Sequence, residues 1–145
     1  ENKSYLMFKK NFWIRKDDVK TINHKIKNFI YILNLFRNVK YKWGGKTFKG
    51  IDCSGLVQII YNYNNKFFPR DTVDQIKFKK GLKSKKKFKK GDIVFWKGHV
   101  GICINSEKFI HAYGPRKKVL IMPINQTIKL IEKTAGLKVK KIFSI

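Results

Sequence analysis

Acidic residues are scarce in this chain: 9 Asp and Glu stand against 34 Lys and Arg, for a formal net charge of +25. That imbalance invites a nucleic-acid reading, because lysines neutralise phosphates and release counterions. Charge alone says little about function, however. Lys, Asn, Ile and Phe are abundant along the whole sequence, which suits tolerant surface positions filled with lysine. Cysteine is also rare. A disulfide framework in a chain this small needs more than Cys53 and Cys103, and both sit in periodic apolar segments, so they read as free thiols. Histidine is limited to His24, His99 and His111. No run of 18 or more apolar residues is present, so no membrane span is expected. No signal peptide is visible. The sequence begins at Glu1 and reads as a processed or excised piece, which leaves the compartment open. There is no internal repeat.

What is present is enough for a core. Hydrophobic residues make up 43% of the 145 positions and aromatic residues 14%, which suits one compact domain and argues against disorder. Residues 5–20 mix aromatic and basic side chains in rough alternation, the pattern of one or two short strands. From Asn23 to about Arg37, Ile26, Phe29, Ile30, Leu33 and Phe36 recur at helical spacing, with Thr21 or Asn23 as cap. The glycines of YKWGGKTFKG (41–50) mark an irregular turn, and IDCSGLVQIIYNY (51–63) reads as a buried helix capped by Asp52. Residues 64–90 are loop-rich and carry the lysine run KSKKKFKK, expected to be a solvated connection. GDIVFWKG (91–98), HVGICI (99–104), KFIHAYG (108–114), KVLIMPI (118–124) and KVKKIFSI (138–145) alternate like strands, with a short helix over 125–133. A helical first half followed by a strand meander defines an α+β domain.

Cys53 falls in the first turn of the predicted buried helix, where backbone N–H groups favour thiolate over thiol. A thiol at a helix start beside a Gly-rich turn is a common way to present a nucleophile. Cys103 sits mid-strand and reads as a structural thiol. His24 lies among Lys and Asn and reads as a surface residue. His99 and His111 fall on neighbouring predicted strands, so a short turn brings their rings side by side. One is then available to take the thiol proton while the other fixes its tautomer. Zinc is the rival for Cys and two His, but the spacings match no C-x-x-C or H-x-x-x-H pattern, and no metal or cofactor is expected.

YKWGG, GIDCSGLVQ, PRDT, GDIVFWKGHVGI and FIHAYG, in that order from Tyr41 to Gly114, resemble the NlpC-type cell-wall cysteine peptidases. The resemblance implies a papain-like α+β fold, with the nucleophile helix packed on an antiparallel sheet. It implies Cys53 as nucleophile, His99 as base and His111 as the third polar residue. Tyr41 is implied to help bind the oxyanion with the Cys53 N–H. Asp52 is implied to hold the free amino end of a short substrate. Ser54 belongs to the same motif, and Arg70, Asp71 and Thr72 border the implied groove. The implied partner is a bacterial peptidoglycan stem peptide or muropeptide, cut between D-γ-glutamyl and a diamino acid, in cytoplasmic recycling or in the cell envelope. Residues 1–22 resemble the remnant of an upstream Src-homology-like barrel, with 23–145 as the catalytic domain. Two other functions compete. One is an amidase or acyltransferase on the same scaffold. The other is a basic binding module in which Lys79, Lys80, Lys83, Lys85, Lys86 and Lys87, interleaved with Phe78 and Phe88, track a phosphate backbone; nucleic acid is the less expected partner.

Overall fold

The computed structural model describes residues 4–26 and 28–145. Residues 1–3 of the expected barrel remnant and Lys27 of the expected first helix therefore lie outside the described residues. The α+β expectation holds. Its centre is a five-stranded antiparallel sheet of β5 (Asp92–Trp96), β6 (His99–Cys103), β7 (Lys108–Tyr113), β8 (Lys118–Pro123) and β9 (Lys141–Ser144), in the order β8-β7-β6-β5-β9. Each of these strands falls inside a segment of alternating or continuous apolar character. Burial on both faces is the reason several of them read as nearly unbroken hydrophobic runs.

One face of the sheet packs on two helices, α1 (Phe29–Leu35) and α2 (Cys53–Asn62). Ile32, Leu33, Leu56, Val57 and Ile60 meet Ile93, Phe95, Val100, Ile102 and Ile110 there. The opposite face packs on α4 (Ile124–Ala135), whose Ile131 meets Trp96, Cys103 and Phe109. Burying one large apolar side chain contributes about 1.5–3 kcal/mol, so these two clusters hold the sheet between its helical layers. Gly136, at φ 64°, ends α4 in the left-handed region where a side chain is disfavoured, and its N–H donates to the Glu132 carbonyl.

Three expectations shift. The first helix starts at Phe29, not Asn23, and its cap is Asn28, whose Oδ1 accepts from the Ile30 N–H at 3.3 Å. The Ile26 N–H is already donated to Asn64 Oδ1 at 2.9 Å, which holds the preceding chain outside the helix. His24 is half-buried rather than fully on the surface. The 64–90 connection is not all loop: it contains α3 (Thr72–Gln75) and a bridge from Leu82 to Ile142.

Residues 5–20 form a hairpin, β1 (Tyr5–Lys9) with β2 (Phe12–Arg15). Tyr5, Leu6, Met7, Phe8, Phe12 and Trp13 are all exposed on it. A two-stranded hairpin is marginal by itself, so this one carries more apolar surface than it can bury. Two short strands, β3 (Lys46–Thr47) and β4 (Gly50–Ile51), shape the Gly-rich turn, and single 3-10 turns follow β2 and β7.

Candidate active site

Asp52 organises the approach to Cys53. Its Oδ1 accepts from the Gly55 N–H at 2.7 Å, which caps α2. The same oxygen accepts from Ser54 Oγ at 3.2 Å and from Arg70 Nη1 at 3.0 Å. Oδ2 accepts from the Gly44 N–H at 2.8 Å and from Arg70 Nη2 at 2.6 Å. The Arg70 fork also reaches Ser54 Oγ at 2.8 Å. A buried carboxylate thus ties together the Gly-rich turn, the first turn of α2 and the PRDT segment, with its charge matched by a bidentate guanidinium. Every strong acceptor position on Asp52 is in use. Ser54 is likewise buried and committed to this network. Gln75, which carries no motif signal, locks the same region from beneath: its Nε2 donates to the Ser54 and Pro69 carbonyls, each at 2.9 Å.

The two imidazoles meet as the strand pattern implied. His99 Nε2 and His111 Nδ1 lie 2.9 Å apart. Continuing the register of the paired residues Ile102–Ile110 sets His111 across from Gly101, so the His99 contact is diagonal. Glycine at 101 makes room for it. A Cβ there would stand 2.7 Å from Phe109 Cε1 and 2.8 Å from His111 Cβ. His111 also stacks on Tyr113, with ring centroids 4.8 Å apart and planes 14° apart. Gly101→Ala is therefore expected to push His111 off its partner and to lower kcat more than KM. The added methyl should cost about 1–3 kcal/mol of stability as overpacking. Steady-state kinetics beside a denaturation curve checks both; an unchanged kcat would mean the pair is indifferent to this spacing.

The thiol lies against the backbone that carries His99. Cys53 Sγ is 4.0 Å from the Gly98 carbonyl, and the Val100 N–H on the other side of His99 pulls its pKa down. No hydrogen bond joins this sulfur directly to the His99 ring. With Nε2 engaged by His111, Nδ1 is the ring nitrogen left for a proton exchange.

Burial keeps the pair neutral at rest, which corrects the expectation of a thiolate at the helix start. Burial pushes the Cys53 thiol up to about 11; the N–H groups of Val100, Ser54 and Cys53 pull the other way and lose, and the Asp52 charge adds to the rise. Burial also pushes His99 down to about 4 and His111 to about 3, the latter helped by its neighbour His99. Two consequences are measurable. Alkylation of Cys53 by iodoacetamide should keep accelerating with pH through neutrality, rather than levelling off below it. Fully buried Cys103, pushed up to about 12, should stay unlabelled in the folded state. The histidines also set an acid limit. The unfolded chain takes up their protons near 6.5, whereas the folded chain resists until about 4 and 3. Stability is therefore present above 6.5 and falls as pH drops from there, by up to about 1.4 kcal/mol per pH unit for each imidazole. Melts at pH 7, 5 and 4 check this, and His111→Asn should flatten the decline.

Tyr41 stands between two clefts. A polar one of about 90 Å³ is lined by Cys53, Asp52, Ser54, Trp43, Asp71 and Thr72. An apolar one of about 460 Å³ is lined by His99, Tyr113 and residues of α4. Tyr41 and Gly98 border both. Burial holds the Tyr41 phenol above its ordinary pKa, and nearby Cys53 and Asp52 add to the rise. Cys53, Asp52, Ser54, Tyr41 and Thr72 thus come together at one opening, and Arg70 supports it from behind; His99 lines the neighbouring apolar cleft, and His111 is fully buried behind it. His24 borders neither cleft. Trp43 stands exposed at the polar rim. Among the described residues no group of three His, Cys, Asp or Glu side chains is placed to hold a metal ion. Among them, too, no helix is long and apolar enough to cross a membrane.

A cysteine at the tip of a helix, packed against an antiparallel sheet that carries paired histidines, places this chain in the papain-like class of α+β domains. The chain belongs to the NlpC/P60 family, whose model matches residues 38–134. It is 35% identical over 101 residues to a gamma-D-glutamyl-L-lysine dipeptidyl-peptidase of Bacillus subtilis, covering 64% of this chain and 34% of that protein. It is 35% identical over 97 residues to the Escherichia coli murein DD-endopeptidase MepS/murein LD-carboxypeptidase, covering 63% of this chain and 50% of that protein. Among solved structures, an NlpC/P60 family protein from Bacillus cereus superposes with a TM-score of 0.72 at 28% identity, over 90% of this chain and 45% of that one. The chain thus spans half or less of the length of these relatives.

Proposed function

We propose that this domain is a cysteine peptidase that hydrolyses peptidoglycan stem peptides or muropeptides at a γ-D-glutamyl bond to a diamino acid, through an acyl-enzyme on Cys53. The observation that carries this reading is the 2.9 Å contact between His99 and His111 beside the helix-tip thiol. The substrate class is supported by the printed activities of the Bacillus subtilis and Escherichia coli relatives.

In the proposed cycle the Cys53 thiol turns from the Gly98 carbonyl to His99 Nδ1 as substrate enters. Catalytic hydrogen bonds commonly tighten only in that complex. The S–H proton passes to Nδ1 while sulfur bonds to the scissile carbonyl carbon. His111, as Nδ1 acceptor of the His99 Nε2–H, holds the ring in the tautomer whose Nδ1 is free. Tyr41 and the Cys53 N–H stabilise the oxyanion; losing one such donor costs about 3–4 kcal/mol of barrier. The C–N bond then breaks, and the imidazolium returns its proton to the departing amine. Water, giving a proton to His99, releases the acyl half. Asp52 and Arg70 act by holding the Gly-rich turn and α2 in register, while Thr72 and Ser54 border the acyl side. The exposed β1–β2 hairpin fits the closing strands of an upstream barrel that would cover its apolar residues.

The amidase and acyltransferase alternatives use the same acyl-enzyme and differ in the acyl donor and, for the transferase, in an acceptor other than water. The basic binding module is disfavoured by packing. Phe88 is buried in the second core cluster and Lys85 is paired with buried Asp92, so the run keeps only Phe78 exposed as a stacking surface and loses one of its lysines to the fold. Mass spectrometry of products from defined muropeptides, with free and blocked amino ends, tests the reading. Cleavage at the γ-glutamyl bond is expected. Turnover of lipid esters with no cleavage of any stem peptide would move the domain to the acyltransferases.

A further inference from the structure

The lysine run after α3 has no part in the proposed cycle. Between Gln75 and Asp92 the chain carries nine lysines and no acidic residue. The fold pins this segment along β9, the outer strand of the sheet. Leu82 and Ile142 exchange backbone hydrogen bonds of 2.9 and 2.7 Å. Lys85 pairs with buried Asp92, whose Oδ2 also accepts the Lys89 N–H at 2.9 Å, and Phe88 is buried in the α4-side cluster. Lys79, Lys80, Lys83, Lys86 and Lys87 stay exposed, with no ion-pair partner among the described residues.

Lysines beside an outer strand discourage pairing with other strands, and that role alone would suit a purely polar face. This face is not purely polar. Phe67, Phe78 and Leu82 are exposed on it, and the two phenylalanine rings lie 6.4 Å apart. Lys79 Nζ donates to the Ser144 carbonyl at 3.4 Å, which sets the run beside exposed Ile145 at the end of β9.

The face also lies far from the catalytic openings. β5 runs from Asp92, which pairs with Ser144, to Trp96, which pairs with His99; four residues of strand span about 13 Å. α2 starts at Cys53 and ends at Asn62, about 14 Å further along and shortly before Phe67. Clefts and basic face thus occupy opposite ends of the domain.

We propose that this face binds the surface of an anionic phospholipid bilayer. The free lysines lie over headgroup phosphates, and Phe67 and Leu82 enter the interface. The unbalanced positive charge fixes the sign of the partner. The exposed apolar side chains among the lysines favour lipid over a purely polar polyanion, because only lipid removes them from water. Nucleic acid is served less well: the Phe67 and Phe78 rings are tilted by 52°, so they form no parallel steps for successive bases. Docked in this way, the domain turns both clefts away from the bilayer.

The test sediments the full chain with phosphatidylcholine vesicles, with and without about one-third phosphatidylglycerol, at about 0.1 M salt. Partitioning onto the anionic vesicles should be about 100-fold stronger, and should fall steeply towards about 1 M salt, where the Debye length contracts to about 3 Å. Lys79→Gln/Lys80→Gln/Lys83→Gln should lose about 100-fold, near fivefold per lysine. Lys46→Gln/Lys49→Gln/Lys117→Gln removes the same charge from exposed positions at the catalytic end and should stay within about threefold of the parent. Phe67→Ser should lose about tenfold. At 76% exposed, Phe67 can be replaced without opening the core. Equal binding to the two kinds of vesicle, equal loss in the two lysine variants, or Phe67→Ser partitioning like the parent would overturn the proposal. So would binding of single-stranded DNA without binding of vesicles, which would make the face a nucleic-acid contact. The comparison of vesicles uses the unsubstituted protein, so it stands even where a substitution disturbs folding.

Discussion

Cys53→Ala should lower stem-peptide hydrolysis by about 10⁶-fold, the scale seen when a triad hydrolase loses its nucleophile. The protein should remain folded, since Cys53 and alanine differ by one buried sulfur and the resulting cavity costs about 1 kcal/mol. The contrast with Cys103 makes the experiment decisive. Both thiols are buried and both have raised pKa values. Cys53 lines the polar cleft, whereas Cys103 is fully buried in the α4-side core. Cys103→Ala should therefore keep most of the activity and show its effect in stability. If Cys103 proved essential and Cys53 dispensable, the site would have been placed on the wrong side of the sheet.

Arg70→Met should cost about 3–5 kcal/mol of stability, the loss typical of leaving a buried charge without its partner. The Asp52 side chain is only 8% exposed, so water cannot replace the guanidinium that now satisfies it. Arg70→Lys should recover only part of the loss, because an ammonium cannot reproduce the paired Nη1 and Nη2 contacts to Asp52. Adding Asp52→Asn to Arg70→Met should restore more than lysine does. The neutral amide removes the stranded charge and its oxygen can still cap α2. Chemical denaturation of the three variants checks the order. An Arg70→Met protein as stable as the parent, yet with a raised KM, would instead make Arg70 a substrate-binding group.

The parts of this site that were legible in the sequence are those with local causes. Asp52 before an apolar run announces a helix cap, and the cap is there. Alternation in HVGICI and KFIHAYG announces two strands, and antiparallel pairing brings their histidines into contact. Other parts depend on packing between distant segments. Asp52 and Arg70 are 18 positions apart, and only the folded PRDT segment shows that the guanidinium serves the carboxylate before any substrate does. The start of α1 lies later than the apolar pattern predicts, because Asn23 and Asn28 are equally able to cap. The choice between them is made by Asn64, far along the chain, which claims the Ile26 N–H. Gly101 sits inside an ordinary strand pattern, and its necessity emerges only where Phe109 and His111 cross it. The thiol's protonation depends on distant packing for the same reason. A helix start lowers a thiol pKa, but the backbone of Gly98–Val100 closes over the sulfur and its burial outweighs the helix.

Trapping the acyl-enzyme is the most direct test of the central claim, that Cys53 and His99 act as one unit across the neck between the clefts. A stem peptide is mixed with the protein, the reaction is quenched in acid within milliseconds, and the digest is mapped by mass spectrometry. The account predicts an adduct of the acyl half on the peptide containing Cys53, absent when His99 is alanine. Hydrolysis that proceeds with the adduct on Cys103, or with an undiminished Cys53 adduct in His99→Ala, would contradict it.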